Sequence, residues 1–142
     1  MTTSQISHIQ LQYSHTIGRG EFFGPGFMTP IHLARGEGDL LYVLCRTREY
    51  APEGTRIAVC TVGSEYVNAF ARGIPQAGPQ EYNFDDGSLV WPTCLAIASD
   101  GNVYVSDEWL NRISIFTKDG DYVGKWEERA GDGDGELNRP SG

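Results

Sequence analysis

Short apolar runs separated by polar turns fill the second half of the chain. Four such runs, at 94–98, 103–105, 113–116 and 122–126, lie between two tryptophans at 91 and 126. Val, Ile, Tyr and Phe dominate the runs, and Gly, Asp and Asn dominate the turns, as is typical of antiparallel strands. The pattern predicts a four-stranded meander that cannot bury both of its faces alone. The predicted fold class is therefore all-β.

An internal repeat indicates a second copy of this unit earlier in the chain. The Tyr42 segment recurs at Tyr104, 62 residues later, and the Arg56 segment recurs at Arg112, 56 residues later. One connection, 46–55, accounts for the change of spacing, because loops absorb insertions at little entropic cost. We therefore expect equivalent positions to occupy two superposable sheets.

Each unit is preceded by a lead-in segment that ends in a proline. Pro30, Pro92 and Pro140 each have an apolar residue three positions earlier. Proline suits the first residue of a strand because it has no N–H to donate to the ladder. Residues 9–18 resemble the last run of each unit, so they predict an outer strand without a unit of its own.

These features divide the chain into four parts. Residues 1–18 hold a polar start and the orphan outer strand, which we interpret as a closing strand. Residues 19–72 form the first unit with its lead-in segment and long loop, and residues 73–130 form a connecting loop and the second unit. Residues 131–142 are the lead-in segment of a third unit.

The second unit resembles the NHL repeat, a four-stranded blade of β-propellers. The matching positions are Pro92, 100–107, 111–113, Phe116, Asp119, Gly120 and 131–140. The first unit departs from the pattern, because Cys45 stands where Asp107 stands in the second. The resemblance implies an incomplete ring here, the N-terminal two-blade portion of a propeller of about six blades.

The resemblance leaves two functions open. One is a non-catalytic scaffold that binds a protein or a small ligand through its loop face or its central channel. The alternative is part of a metal-dependent propeller lyase or hydrolase whose active-site residues lie mostly in other blades. Within this sequence we expect no catalytic residue, no metal site and no cofactor, and His32 is interpreted as an ordinary core or channel residue.

Two groups of side chains are candidates for defined roles. Asp107 and Arg112 are expected to form a structural pair, within hydrogen-bonding reach, that stabilises the turn between two strands. Long loops on a rigid scaffold carry binding residues, and Arg, Tyr and Trp are enriched at binding hot spots. The predicted ligand or partner residues are therefore Arg46, Arg48, Tyr50, Glu108 and Trp109.

Charge and cysteine usage narrow the partners. The net charge is −8, and the eleven basic residues form no stripe, which argues against nucleic acid and against an anionic membrane. The chain start has no signal-peptide pattern, so a cytoplasmic location is expected. Cys45, Cys60 and Cys94 lie in or beside apolar runs and are interpreted as buried free thiols.

The outer faces of the predicted units raise the question of assembly. Alternate positions of the outer strands carry large apolar side chains such as Tyr66, Phe70, Tyr122 and Trp126. Each such side chain left in water forgoes about 1.5–3 kcal/mol. We therefore expect that further blades or self-association of the chain complete the structure.

Overall fold

The computed structural model describes residues 10–48, 51–75, 86–126 and 130–142. Ten strands and one short 3-10 helix make up the secondary structure of these residues. The strands are β1 (Pro30–Arg35), β2 (Leu40–Cys45), β3 (Arg56–Thr61), β4 (Tyr66–Phe70), β5 (Arg72–Gly73), β6 (Ser88–Leu89), β7 (Pro92–Ile97), β8 (Val103–Asp107), β9 (Arg112–Phe116) and β10 (Tyr122–Trp126), and the helix is Pro52–Gly54.

Two four-stranded antiparallel meanders form the fold, which confirms the predicted fold class. Strands β1 to β4 make one sheet in chain order, and β7 to β10 make the other. We refer to them as blade 1 and blade 2. Between them, β5 and β6 form a short parallel ladder that joins the end of blade 1 to the lead-in segment of blade 2. The two blades do not close into a ring.

The two blades repeat one another down to individual irregularities. Both first strands carry a register shift directly after the proline, between Pro30 and His32 and between Pro92 and Cys94. Both turns before the last strand are closed by matching backbone hydrogen bonds, from Thr61 to Glu65 at 2.9 Å and from Thr117 to Asp121 at 2.8 Å. The internal repeat predicted from the sequence is therefore confirmed, with Tyr42 and Tyr104 on the second strand of each blade.

An apolar cluster between the blades is the core of the structure. The two blades contribute opposite faces to this cluster. The positions that blade 1 contributes are not the positions that blade 2 contributes, as the repeat aligns them. The cluster contains Tyr42, Leu44, Ile57 and Val59 from blade 1 and Leu89, Leu95, Val103, Val105 and Phe116 from the second unit. Strands β1 and β7 make the main contact between the two sheets, so they are the inner strands.

One glycine is required by this packing. Gly120 and its equivalent Ser64 both have positive φ in the turn before the last strand, at 101° and 72°. A Cβ on Gly120 would lie 2.6 Å from the Cβ of Phe70 in blade 1. The turn of blade 2 therefore approaches blade 1 too closely for a side chain, whereas the equivalent turn of blade 1 carries Ser64.

The ends of the chain follow the repeat only in part. Residues 10–18, predicted as an orphan outer strand, have no ladder partner among the described residues, and Leu11 and Tyr13 are exposed. A strand needs a neighbour to hydrogen-bond with, so closure by this segment stays a prediction. In the predicted third lead-in segment, Ala130 pairs with Leu137 in a parallel bridge.

One sequence-based feature lies partly beyond this description. Most of the predicted connecting loop, at 76–85, falls outside the described residues. In the part of the chain that the structure describes, no helix has the length and the apolar character needed to cross a membrane.

The opposite use of the two blade faces predicts unequal effects at two equivalent leucines. Leu95 is 2% exposed in the cluster, whereas its equivalent Leu33 is 56% exposed. We expect Leu95→Ala to lower the free energy of unfolding by about 2–5 kcal/mol, because it leaves a cavity. Leu33→Ala should change it by less than about 0.5 kcal/mol.

Urea denaturation at a protein concentration where the chain is monomeric measures both changes. Equal losses of stability in the two variants would contradict the assignment of the core to one face of each blade.

Candidate functional site

The loop face is the end of the two sheets where the connections 46–55 and 108–111 lie. Asp107, the last residue of β8, organises this face in blade 2, and its side chain is fully buried. Its carboxylate accepts hydrogen bonds from the backbone N–H groups of Val90 at 2.7 Å, Trp91 at 3.1 Å, Trp109 at 3.1 Å and Leu110 at 3.0 Å. One side chain thus joins the lead-in segment to the turn between β8 and β9.

Electrostatics at Asp107 reflect two opposed effects. Burial raises the pKa of the Asp107 carboxyl, because it removes the charged form from water. The N–H donors of Leu110, Val90 and Trp91 and the charge of Arg112 act in the other direction. The carboxylate is therefore held by a cage of donors rather than by solvent.

Arg112 completes the predicted structural pair, but through a different contact. It lies opposite Asp107 in the ladder between β8 and β9 and is 2% exposed. Its guanidinium donates to the carbonyl oxygen of Ser88 at 2.8 Å. The expected direct hydrogen bond between the two side chains is not among the contacts of these described residues. Instead, both side chains bind the lead-in segment, and their charges attract at short range.

Blade 1 reaches the same geometry with different chemistry. Cys45 stands in the place of Asp107, and Met28 is the equivalent of Val90. Burial raises the pKa of the Cys45 thiol. Arg56 donates to the carbonyl oxygens of Gly24 at 3.1 Å and Gly26 at 2.8 Å. Backbone carbonyls of the lead-in segment are thus the acceptors for Arg56.

Arg46, a predicted ligand residue, bridges the two blades. Its guanidinium carbon lies 4.3 Å from the centre of the Trp91 ring, and one terminal nitrogen donates to the carbonyl oxygen of Pro92 at 3.2 Å. A cation over an indole ring is attracted by the ring's negative face. Arg46 is therefore occupied by contacts with the lead-in segment of blade 2.

Glu108, another predicted ligand residue, makes the equivalent contact one blade further on. Its carboxylate accepts from the Nε of Arg139 at 2.8 Å, and a terminal nitrogen of Arg139 also contacts it. Trp91 and Arg139 occupy the same position, directly before a lead-in proline. The sequence contained the signal for these partners, because the residues before the prolines share the register of the repeat.

The remaining predicted residues differ in accessibility. Trp109 is 42% exposed, although its own backbone N–H is anchored to Asp107. Arg48 is exposed in the long loop of blade 1. Buried Thr47 and Thr55 order that loop, with the Thr47 N–H donating to the Thr55 hydroxyl at 2.9 Å. Tyr50 lies outside the described residues, so its predicted role stays a prediction.

Cysteine, histidine and carboxylate side chains are the groups that could bind a metal ion. Cys45 and Cys60 are buried free thiols, whereas Cys94 is half-buried and also free. Across the described ranges, no three His, Cys, Asp or Glu side chains come together in a group that could hold a metal ion.

The cage around Asp107 predicts a large effect of a small substitution. We expect Asp107→Asn to lower the free energy of unfolding by about 3 kcal/mol or more. An amide nitrogen would face backbone N–H donors, and Arg112 would lose its buried countercharge.

Asp100→Asn is the matched control for this change. Asp100 accepts from the backbone N–H of Asn102 at 2.9 Å in an exposed turn, and an Asn oxygen can replace that acceptor. Its stability should stay within about 0.5 kcal/mol of the unsubstituted chain. Thermal and urea unfolding, followed by circular dichroism, measure the free energy of unfolding of the two variants. Similar losses of stability in both would contradict the structural role of Asp107.

Comparisons with known proteins support the fold and no more than the fold. No protein-family model matches the sequence, and no curated protein matches it. A candidate exported protein from Bacteroides fragilis is similar in structure, with a TM-score of 0.53 and 12% identity over 78% of this chain and 27% of that protein. Virginiamycin B lyase from Staphylococcus aureus has a TM-score of 0.41 and 17% identity over 69% of this chain and 26% of the lyase, which is too distant to carry an argument. The chain spans about a quarter of the length of both proteins.

Proposed function

We propose that this chain is a segment of an NHL-type β-propeller that serves as a non-catalytic binding scaffold. The repeated four-stranded blades and their lead-in segments support the propeller assignment. The proposed ligand is a protein or peptide that binds at the loop face. Trp109 is the observation that carries this proposal.

Trp109 combines exposure with a fixed backbone. The residue is 42% exposed, and the backbone N–H groups of Trp109 and Leu110 both donate to the buried Asp107 carboxylate. An exposed aromatic ring on a rigid turn offers a large contact area and loses little conformational entropy on binding. The neighbouring charges of Arg46 and Glu108 are already engaged by Trp91 and Arg139, which leaves the indole as the principal free group of this turn.

The open faces of the blades support a second part of the proposal. Blade 1 covers blade 2 with one face, and its other face presents Leu33, Leu41 and Val43, which line an apolar hollow of about 400 Å³. The equivalents of these residues in blade 2 are Leu95, Val103 and Val105, which are covered by blade 1. The open face of blade 1 therefore has the shape and polarity that receive a preceding blade.

Blade 2 offers the complementary open face. Trp126 is 55% exposed there, and Tyr104 lies 5.2 Å from it between ring centres. Their equivalents in blade 1, Phe70 and Tyr42, pack against blade 2. A head-to-tail contact between two different faces can close into a ring. We propose that a second copy of the chain occupies these faces in the isolated protein.

Peptide selection tests the binding role of the loop face. A random peptide library displayed on phage is panned against the immobilised chain, and the selected peptides are synthesised and titrated. We expect Trp109→Ala to weaken their binding about tenfold or more, as loss of a hot-spot aromatic does. Trp126→Ala removes the same type of side chain from an open blade face and should leave the affinity unchanged. Loss of affinity in Trp126→Ala alone would place binding on the blade face and contradict the proposal.

Self-association is tested by multi-angle light scattering over a range of concentrations. We expect the mass to rise above that of the 15.7 kDa monomer as concentration increases. Leu33→Lys should suppress the rise, because it places a charge on the open face of blade 1. Trp109→Lys places the same charge on the loop face, outside both open blade faces, and should not. A monomer at every concentration, or equal effects of both variants, would contradict head-to-tail association.

A further inference from the structure

The inner strands of successive blades place equivalent side chains next to each other. His32 on β1 and Cys94 on β7 each follow a lead-in proline by two residues, at the same register shift. Gly142 holds this position after Pro140. A Cβ on Gly142 would lie 3.8 Å from the Cβ of Cys94. The second residue after each of the three lead-in prolines thus belongs to a row that consists of an imidazole, a thiol and a glycine.

A direct contact joins the first two members of this row. The Cys94 sulfur lies 3.4 Å from Nε2 of His32, within the range of a hydrogen bond that involves sulfur. The other ring nitrogen of His32, Nδ1, is buried and has no hydrogen-bond partner within the described residues. The Cys94 thiol has two acceptors within reach, Nε2 of His32 at 3.4 Å and the carbonyl oxygen of Leu95 at 3.7 Å, and Nε2 is the nearer. In the tautomer with the proton on Nδ1, Nε2 accepts the thiol proton.

The other two cysteines lack these features. Cys45 is buried where blade 1 meets its lead-in segment, and Cys60 is 3% exposed within the β2–β3–β4 ladder. Cys94 is half-buried, and Gly142 leaves the space beside its sulfur without a side chain. Of the three thiols, Cys94 alone combines access with a base in contact.

We propose that Cys94 is a site of covalent modification by neutral α,β-unsaturated carbonyl compounds, with His32 as its base. A thiolate is a soft nucleophile, and a base in contact with the thiol generates it. The net charge of −8 disfavours anionic electrophiles, which is why a neutral compound is expected. The site lies on the inner strands, and its assignment is independent of the ligand proposed for the loop face.

The reaction is a conjugate addition. The Cys94 thiol transfers its proton to Nε2 of His32, and the sulfur forms a bond to the β-carbon of the electrophile. The electron pair of the carbon–carbon double bond moves to the α-carbon, which takes up the proton from the imidazolium. The product is a thioether, no group leaves, and His32 returns to its neutral form.

The probe for this chemistry is N-ethylmaleimide, a neutral conjugated imide. The folded chain is treated with limiting reagent and quenched at intervals, and peptide mass spectrometry follows the adduct at each of the three cysteines. We expect Cys94 to react first and to react faster in the folded chain than in the urea-unfolded chain. Comparison with the unfolded chain separates activation by His32 from simple exposure.

Two variants identify the base. His32→Gln removes it and should slow the modification of Cys94 about tenfold or more. Ser106→Ala is the matched control, because the Ser106 hydroxyl contacts the carbonyl oxygen of Cys94 at 3.4 Å and not the thiol. Its rate should match that of the unsubstituted chain. Circular dichroism verifies that both variants fold.

Three results would overturn the proposal. The first is earlier modification of Cys45 or Cys60 than of Cys94. The second is a Cys94 rate in the folded chain that does not exceed the rate in the unfolded chain. The third is an unchanged rate in folded His32→Gln.

Discussion

A single buried carboxylate sets the geometry of the loop face. Asp107 binds four backbone N–H groups from two segments that are far apart in sequence, the lead-in segment and the β8–β9 turn. Without this acceptor the buried donors would be left unpaired, which is more costly than the net gain of an ordinary hydrogen bond. The position of Trp91 over Arg46, and that of Trp109 at the surface, both depend on it.

Head-to-tail packing follows from the period of a strand. Successive side chains of a strand point to opposite faces, so each blade has two apolar faces to cover. The two blades pack against each other through opposite faces of the repeat. One face of blade 1 and the opposite face of blade 2 therefore stay open. Unlike a two-fold symmetric dimer, such an arrangement gains one covered interface with each added blade and is complete only when the ends meet.

The sequence was sufficient for the blades because their signals are local and repeated. Apolar runs, turn residues and the change of spacing at 46–55 predicted both sheets. It was insufficient where a contact joins different blades, because it did not predict that Arg46 contacts Trp91 or that Glu108 contacts Arg139 of the next lead-in segments. Such partners depend on how two sheets pack, which no single run of residues specifies.

The contact between His32 and Cys94 could not be predicted from the sequence for the same reason, because it depends on how the two sheets pack. The two residues are 62 positions apart, the spacing of the repeat itself, so the packing of equivalent inner strands brings them into contact. A repeat places equivalent positions of neighbouring blades side by side. Where they differ, as imidazole and thiol do here, neighbouring blades can combine two chemical groups that neither blade holds alone. In this chain it is a difference between the two copies that brings an imidazole and a thiol into contact.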